Sequence, residues 1–396
     1  MRHLRKWALM AGLVAIAALV LAACGGSSDS SSSESSGAES TPAESTESSE
    51  GGGNPDEAAA AEEGKEYAES LGAPVSLPVK TIGILQSTGS TESALRVQKE
   101  IEAPAAELGW KSVACDGEGL PTKFATCASS LLNQGVDAMI TIGIEASAIT
   151  PQLEKAQQMK VPAIQVSGTV VPSPLYGGSY FPDDAKAGTL LADFLAEEME
   201  QVDGTADIAV HDFAAIWAQE RTEQLDKKVK EDPSLKITSE VETDATNVVE
   251  GTRKTVTDQL TQNPDLKAFW FAWDFAGSAG AQAVQAKYPG KTFPERPLVV
   301  TFHADLGTNE LIEQGAIDAV VNVPYNASSW VAIDQLAELW GRNTPLSKEP
   351  APTYNGFEVY DYSIVNKENL PPQGEYPQPK NDFFSFFKSK WETEFK

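Results

Sequence analysis

The chain has 396 residues, 41% hydrophobic and 22% charged, a balance that suits one or two globular domains and excludes a fibrous or wholly disordered protein. Thirty Lys and Arg stand against 57 Asp and Glu, and the formal charge of −27 argues against a partner gripped by its phosphates, so nucleic acid is not expected. The three His (His3, His211, His303) and three Cys (Cys24, Cys115, Cys127) form neither CxxC nor HExxH, so no metal and no cofactor is expected.

In chain order, Arg2, Arg5 and Lys6 precede an uncharged apolar run, Trp7 to Ala23, the layout of a secretory signal over residues 1–23. The run ends Leu21-Ala22-Ala23-Cys24-Gly25, which closely resembles the lipobox of bacterial lipoproteins, in which cleavage precedes the Cys and that Cys is lipidated. The alternative is an uncleaved membrane anchor, since 17 apolar residues reach the lower limit for spanning. Either way the protein is exported and tethered. Ser27 to Glu50 carries 12 Ser and six acids with no Lys or Arg, too polar to bury a core, so residues 24–75 are assigned to the lipidated Cys and a disordered tether. Like-charge repulsion along it extends the spacer.

Export permits disulfides, and Cys115 and Cys127 are the thiols left once Cys24 is modified. We expect them to pair, closing a short loop worth about 3 kcal/mol in the chain-entropy model. The alternative is two buried free thiols.

After a short helix over Asp56 to Leu71, apolar runs alternate with amphipathic segments, the mark of βα units around a parallel sheet. Strands are expected at Thr81 to Leu85, Ser112 to Cys115, Ala138 to Ile142 and Ala163 to Val166, with helices between them. A second series runs from a helix over Asp184 to Met199 through strands at Ile208 to His211, Lys236 to Val241, Ala268 to Ala272, Leu298 to Phe302 and Ala319 to Val321. Ten or so strands exceed one comfortable sheet and imply two lobes. A helix over Ser328 to Trp340, a strand-like Gly356 to Val365 and a Pro-rich stretch follow. The final Phe383, Phe384, Phe386, Phe387, Trp391 and Phe395 fall at helical spacing, a stripe that packs on a lobe or faces a permease or membrane.

The order of these elements, with the strings Asn133-Gln134-Gly135-Val136-Asp137-Ala138, Val161-Pro162-Ala163-Ile164, Gln219-Glu220-Arg221, Asn263-Pro264-Asp265 and Gln314-Gly315-Ala316-Ile317-Asp318-Ala319, resembles type I periplasmic binding proteins, most closely the ribose-binding-like solute receptors of ABC importers. The resemblance spans Val79 to Val365. It implies an α/β fold of two doubly wound parallel-sheet lobes joined by a three-segment hinge, 76–178 plus 323–350 and 179–322 plus 353–365, with 366–396 as a C-terminal extension. It also implies a small-molecule solute held in the cleft by hinge closure, an ABC permease in the membrane as partner and no catalysis; with the lipobox, it makes the chain a monomeric receptor anchored on the outer face of the cytoplasmic membrane. No GxSxG, P-loop or paired His or Cys site opposes this.

On that frame the ligand would meet Ser87, Thr88, Thr91 and Glu92 in the first loop, Glu145 after the third strand and Ser167 after the fourth. Thr91 is equally an ordinary helix cap. Arg221 matches the family's ligand-facing arginine, its alternative being a surface pair with Glu220 or Glu223. Trp217 is a cleft wall or core. Trp273 is expected as a cleft aromatic, and Asp274 as a ligand contact or helix cap. His303 stands where sugar receptors usually carry Asp, while Asn322 matches a hinge amide with Tyr325 close behind. Ser, Gly168, Trp and His where relatives carry charged groups point to a solute less polar than a free hexose or one held by stacking. A sugar or polyol is the leading expectation, an aromatic or weakly polar metabolite and a sensor role the alternatives. His211 beside Asp212 is read as structural.

Overall fold

The computed structural model describes residues 55–396; the expected signal, Cys24 and the Ser-rich part of the tether lie outside them. The first lobe is built from α1 (Pro55–Ser70), β1 (Thr81–Gln86), α2 (Glu92–Glu107), β2 (Lys111–Asp116), α3 (Pro121–Asn133), β3 (Ala138–Ile142), α4 (Thr150–Met159), β4 (Ala163–Val166) and β5 (Gly178–Tyr180). The second takes α5 (Asp184–Met199), β6 (Ala206–Asp212), α6 (Ile216–Glu231), β7 (Leu235–Glu242), α7 (Val248–Gln262), β8 (Ala268–Phe271), α8 (Asp274–Lys287), β9 (Leu298–Phe302), α9 (Leu306–Glu313) and β10 (Ala319–Asn322). The chain then returns through α10 (Tyr325–Arg342), adds β11 (Ser363–Asn366) and ends in α11 (Phe383–Glu394).

Two sheets result, ordered β2-β1-β3-β4-β5 and β11-β10-β9-β8-β6-β7, and every pairing is parallel except β10 with β11. The sequence pattern explains each strand's place. Central β3, β4, β8 and β9 are largely apolar runs buried on both faces, with Thr141, Gln165 and Thr301 as their polar members, as helices covering both sides demand. The edge strand β7 instead alternates half-buried and exposed residues after a buried Leu235. The chain passes between sheets after β5, after β10, where α10 packs on β4 and β5, and again before β11.

Three differences from the sequence reading have local causes. The helix expected over Asp56 to Leu71 is present as Pro55–Ser70, but it packs along α11 and so is no part of the disordered tether assigned to 24–75. Ser179 and Tyr180 pair with β4, so the first sheet runs two residues past the boundary expected at 178. The strand expected from Gly356 is confined to Ser363–Asn366, because Asn355 and Gly356 turn through positive φ and Tyr354 bridges Phe357. The aromatic stripe of α11 packs inward. Phe386, Phe387 and Trp391 are buried, and Trp391 stacks on Trp330 of α10 with ring centroids 5.5 Å apart. Cys115 at the end of β2 is bonded to Cys127 in α3, with their Cα atoms 5.5 Å apart.

Candidate functional site

In both sheets the loops that follow parallel strands converge at the strands' carboxyl ends, where helix N-termini also point. A cavity of about 250 Å³ lies there between the lobes. On the first-lobe side stand Ser87, Thr88 and Thr91, then Ile142 and Gly143 after β3, then Ser167 and Gly168 after β4. The second lobe supplies Phe213 after β6, Trp217 and Arg221 on α6, Asp184 on α5, Trp273 after β8 and His303 after β9. Tyr325, at the start of α10, closes the hinge side. Two of these loops leave their strands through left-handed backbone at a non-glycine residue, Ser167 at φ 87° and His303 at φ 64°. Such residues cost on the order of 1–3 kcal/mol and persist where the surrounding structure holds them.

Arg221 organises the second-lobe wall. Only 2% exposed, it donates through Nε to Asp184 Oδ1 (2.8 Å), through Nη1 to the Ala272 carbonyl (3.0 Å) and through Nη2 to His303 Nε2 (3.1 Å). Asp184 is fully buried and also accepts from the Thr169 backbone N–H and hydroxyl. The Asp184–Arg221 pair needs α5 and α6 to touch, and Gly188, one turn beyond Asp184, allows it. A Cβ there would lie 2.5 Å from the Arg221 carbonyl oxygen. A guanidinium has no acceptor. His303 Nε2 must therefore be the acceptor, which puts the ring proton on Nδ1, donated to Asp274 Oδ1 at 2.8 Å. Both imidazole nitrogens are thus committed. Asp274, His303 and Asp305 bring ligand-type atoms within 4.8 Å of one another, but this tautomer leaves His303 no lone pair for a cation.

The aromatic wall is a cluster of Phe213, Trp217 and Trp273, with centroids 5.6 Å apart for Phe213–Trp217 and 4.9 Å for Phe213–Trp273. Trp217 reaches across the cleft to Gly168, where a Cβ would meet its ring at 2.9 Å. The absence of a side chain at 168 therefore admits the indole between the lobes. Opposite lie hydroxyls. Thr91 occupies the N-cap position of α2 without capping it, and Thr88 and Ser90 share a 2.7 Å hydrogen bond.

The structure brings Ser87, Thr88, Thr91, Ser167, Trp217, Arg221, Trp273, His303 and Tyr325 to this cavity. It places four other candidates elsewhere. Glu92 accepts from the backbone N–H groups of Leu306 and Gly307 (2.7 and 3.0 Å), because its helix start abuts that of α9. Glu145 turns to the Val171 N–H on the cleft's flank. Asp274 is the partner of His303, one layer behind the lining, and caps nothing. Asn322 is buried at the end of β10, outside the lining. Arg221 pairs with Asp184, not with Glu220 or Glu223. His211 is buried against Gln259 (2.8 Å), and burial lowers its pKa to about 4.

Asp184 and Phe213 escaped the sequence reading. Asp183-Asp184 opens α5 and reads as a helix N-terminus, a role Asp183 does fill by accepting from the Lys186 N–H. Phe213 sits one residue past a strand end, the position that singled out Trp273 and would have found it too.

Comparison with known proteins fits this geometry. Residues 82–343 match the family model described as a periplasmic binding protein domain. A xylitol-binding protein of Mycolicibacterium smegmatis is 30% identical over 123 residues, 30% of this chain and 34% of that protein. The ribose import binding protein RbsB of Bacillus subtilis is 27% identical over 119 residues, 30% of this chain and 39% of that one. The chain thus aligns with little more than a third of either relative. Among solved structures, an ABC transporter solute-binding protein from Agrobacterium vitis with bound allitol superposes with a TM-score of 0.62 at 22% identity, covering 74% of this chain and 98% of that one. With a matching model over most of its two lobes and the cleft between them, this chain belongs to the periplasmic binding protein family, and the two relatives are named as binding proteins for xylitol and ribose.

Proposed function

We propose that this protein is the solute-binding component of an ABC importer, capturing a sugar or polyol of monosaccharide size and passing it to a membrane permease. The observation that carries this reading is the cleft of about 250 Å³, with hydroxyls on one wall and an aromatic cluster beside Arg221 on the other. Hydroxyl side chains offer a solute both donors and acceptors, and an indole face takes up the C–H surface of a sugar ring. The cavity of about 250 Å³ is below the usual range for drug-sized ligands, which favours a single ring over a disaccharide. Xylitol and ribose, named for the two curated relatives, are the first solutes to try.

A second reading keeps the site and changes the solute. The carboxylates at or just behind this cleft are spent, Asp184 on Arg221 and Asp274 on His303, so hydroxyl-rich ligands find few strong acceptors. Phe213, Trp217 and Trp273 favour a cyclic or aromatic molecule with few hydroxyls. Thermal stability of residues 55–396 measured against pentitols, pentoses, hexoses, inositols and aromatic acids separates the two, since a solute at 100 times its dissociation constant adds about 2.7 kcal/mol. Silence from every sugar and polyol, with a response to an aromatic acid, overturns the first reading. The rest follows from the sequence: export by residues 1–23, lipid on Cys24, a tether, and a monomer held at the outer face of the cytoplasmic membrane. Intact mass of the membrane-extracted protein tests the lipid, and Cys24→Ala should release the protein from membranes.

A further inference from the structure

Beyond β11 the chain does not stop at the second lobe. Leu370, Pro371 and Pro372 lie along α9. Tyr376 then reaches α2 of the first lobe, and the segment ends where α11 packs on α1. Residues 367–382 therefore cross between the lobes a fourth time, past the three passages of the hinge and outside the stretch that matches the family model.

What Tyr376 covers is an exchange of partners between the lobes. Asp305 is the N-cap residue of α9, yet its side chain caps nothing there. It accepts instead from Arg96 Nη1 of the first lobe (3.1 Å) and from the Tyr325 hydroxyl (2.7 Å). The capping of α9 is done from the opposite lobe by Glu92, whose two carboxylate oxygens take the Leu306 and Gly307 N–H groups. Tyr376 lies on this seam, its ring 4.0 Å from the Arg96 guanidinium and its hydroxyl 3.3 Å from Glu92 Oε1. Behind it, Tyr325 packs edge-on against His303 with centroids 4.9 Å apart, and both line the cleft.

We propose that residues 367–382 are a strap holding the two lobes closed, and that Tyr376 is a positioning residue for the solute site, acting through Arg96 and Asp305 on Tyr325 and His303. The effect on affinity rests on reading the cleft as the solute site; the clamping of the seam does not. The first N–H groups of a helix have no partner within it, so Leu306 and Gly307 amides are shielded by Glu92 of the other lobe when the seam is shut.

The test is amide hydrogen exchange at residue resolution, without added solute, on wild type, Tyr376→Ala and Tyr376→Phe. In Tyr376→Ala, protection of the Leu306 and Gly307 amides should fall by about tenfold, the scale of one cation–π contact and one hydrogen bond to a carboxylate. Amides of β1 and β8 should keep theirs, and Tyr376→Phe, which retains the ring over Arg96, should recover most of the loss. The proposal is overturned if protection at 306 and 307 is unchanged in Tyr376→Ala, if β1 and β8 lose protection in step, or if the wild-type amides exchange freely. Adding the pentitols, pentoses, hexoses and inositols of the stability screen separates the two hypotheses: a strap effect with no response to any of them leaves the clamp standing and removes the sugar or polyol reading.

Discussion

Arg221 Nη2 lies 3.1 Å from His303 Nε2, and this one hydrogen bond fixes the chemistry of the second-lobe wall. It makes His303 a neutral acceptor whose other nitrogen is spent on Asp274, so the ring offers the solute an edge and not a hydroxyl acceptor. Arg221 is in turn held by the buried Asp184. Replacing it by Lys removes the planar fork that serves Asp184, Ala272 and His303 together. Arg221→Lys keeps the charge beside Asp184 but leaves the Ala272 carbonyl and His303 Nε2 without the donors they now have, so it should cost about 1–3 kcal/mol in urea unfolding, the range for a buried polar group left unpaired. It should also weaken solute binding at least tenfold. A loss below about 0.5 kcal/mol would show that the planar fork adds nothing a lysine ammonium cannot supply to Asp184.

Gly168 and Trp217 yield a second prediction. A methyl group at 168 would sit 2.9 Å from the indole, which must then swing out or hold the lobes apart. Gly168→Ala should raise the dissociation constant about tenfold or more, mainly through faster release, while unfolding stability changes by less than about 1 kcal/mol, since the clash arises between lobes that can separate. Titration calorimetry and stopped-flow release with the solute identified by the stability screen check this. Unchanged release would mean that Trp217 closes nothing.

The architecture was legible because its signals are local. Buried strands such as Ala138–Ile142 are unbroken apolar runs, and helices such as Asp184–Met199 carry their own start signals. The site was legible where family positions mark strand ends, as for Ser167, Trp273 and His303, and where one falls on a helix, as for Arg221. The partners of those residues were not, since Asp184 lies 37 positions before Arg221 and His303 lies 82 after it. No periodicity encodes such pairings. Glu92 misled for the same reason, because a carboxylate beside the cleft looks like a ligand contact until its helix is seen facing α9.

His211 predicts an acid limit. Burial lowers its pKa to about 4 from the ordinary 6.5, with the Gln259 hydrogen bond opposing. A base whose folded pKa is depressed resists protonation in the native state, so its contribution is complete above about 6.5 and is lost as pH falls toward 4. The loss is on the order of 3 kcal/mol. Stability measured by urea unfolding from pH 7 to pH 4 should show this slope, and His211→Gln should flatten it. An equal slope in the variant would assign the acid sensitivity to other groups.

The C-terminal helix gives the last prediction, with the opposite sign. Lys390 is buried among Asp334, Glu338 and Glu394 at 2.7, 2.8 and 2.6 Å, and Trp391 Nε1 donates to Asp334 as well. Burial pulls the Lys390 ammonium down, but the three carboxylates outweigh it and hold it above its ordinary value. Removing it leaves three acids facing one another, with Arg342, on Glu394, the one other cation paired with them among the described residues. Lys390→Met should therefore destabilise by about 3–5 kcal/mol. The damage should begin with α11, exposing Phe386, Phe387 and Trp391 to dye binding and proteolysis before the sheets unfold. Glu338 shows the same strain of excess negative charge. Burial pushes its carboxyl up to about 7 from 4.5, and Asp334 and Glu394 add to this against the pull of Lys390. A raised folded pKa means stability fully present below about 4.5 and lost as pH rises through about 7. The helix should thus hold more tightly at pH 5 than at pH 8, read as slower proteolysis of the tail, and Glu338→Gln should remove that difference. Equal proteolysis of wild type at both pH values would show that Glu338 carries its charge at no cost to the docked helix.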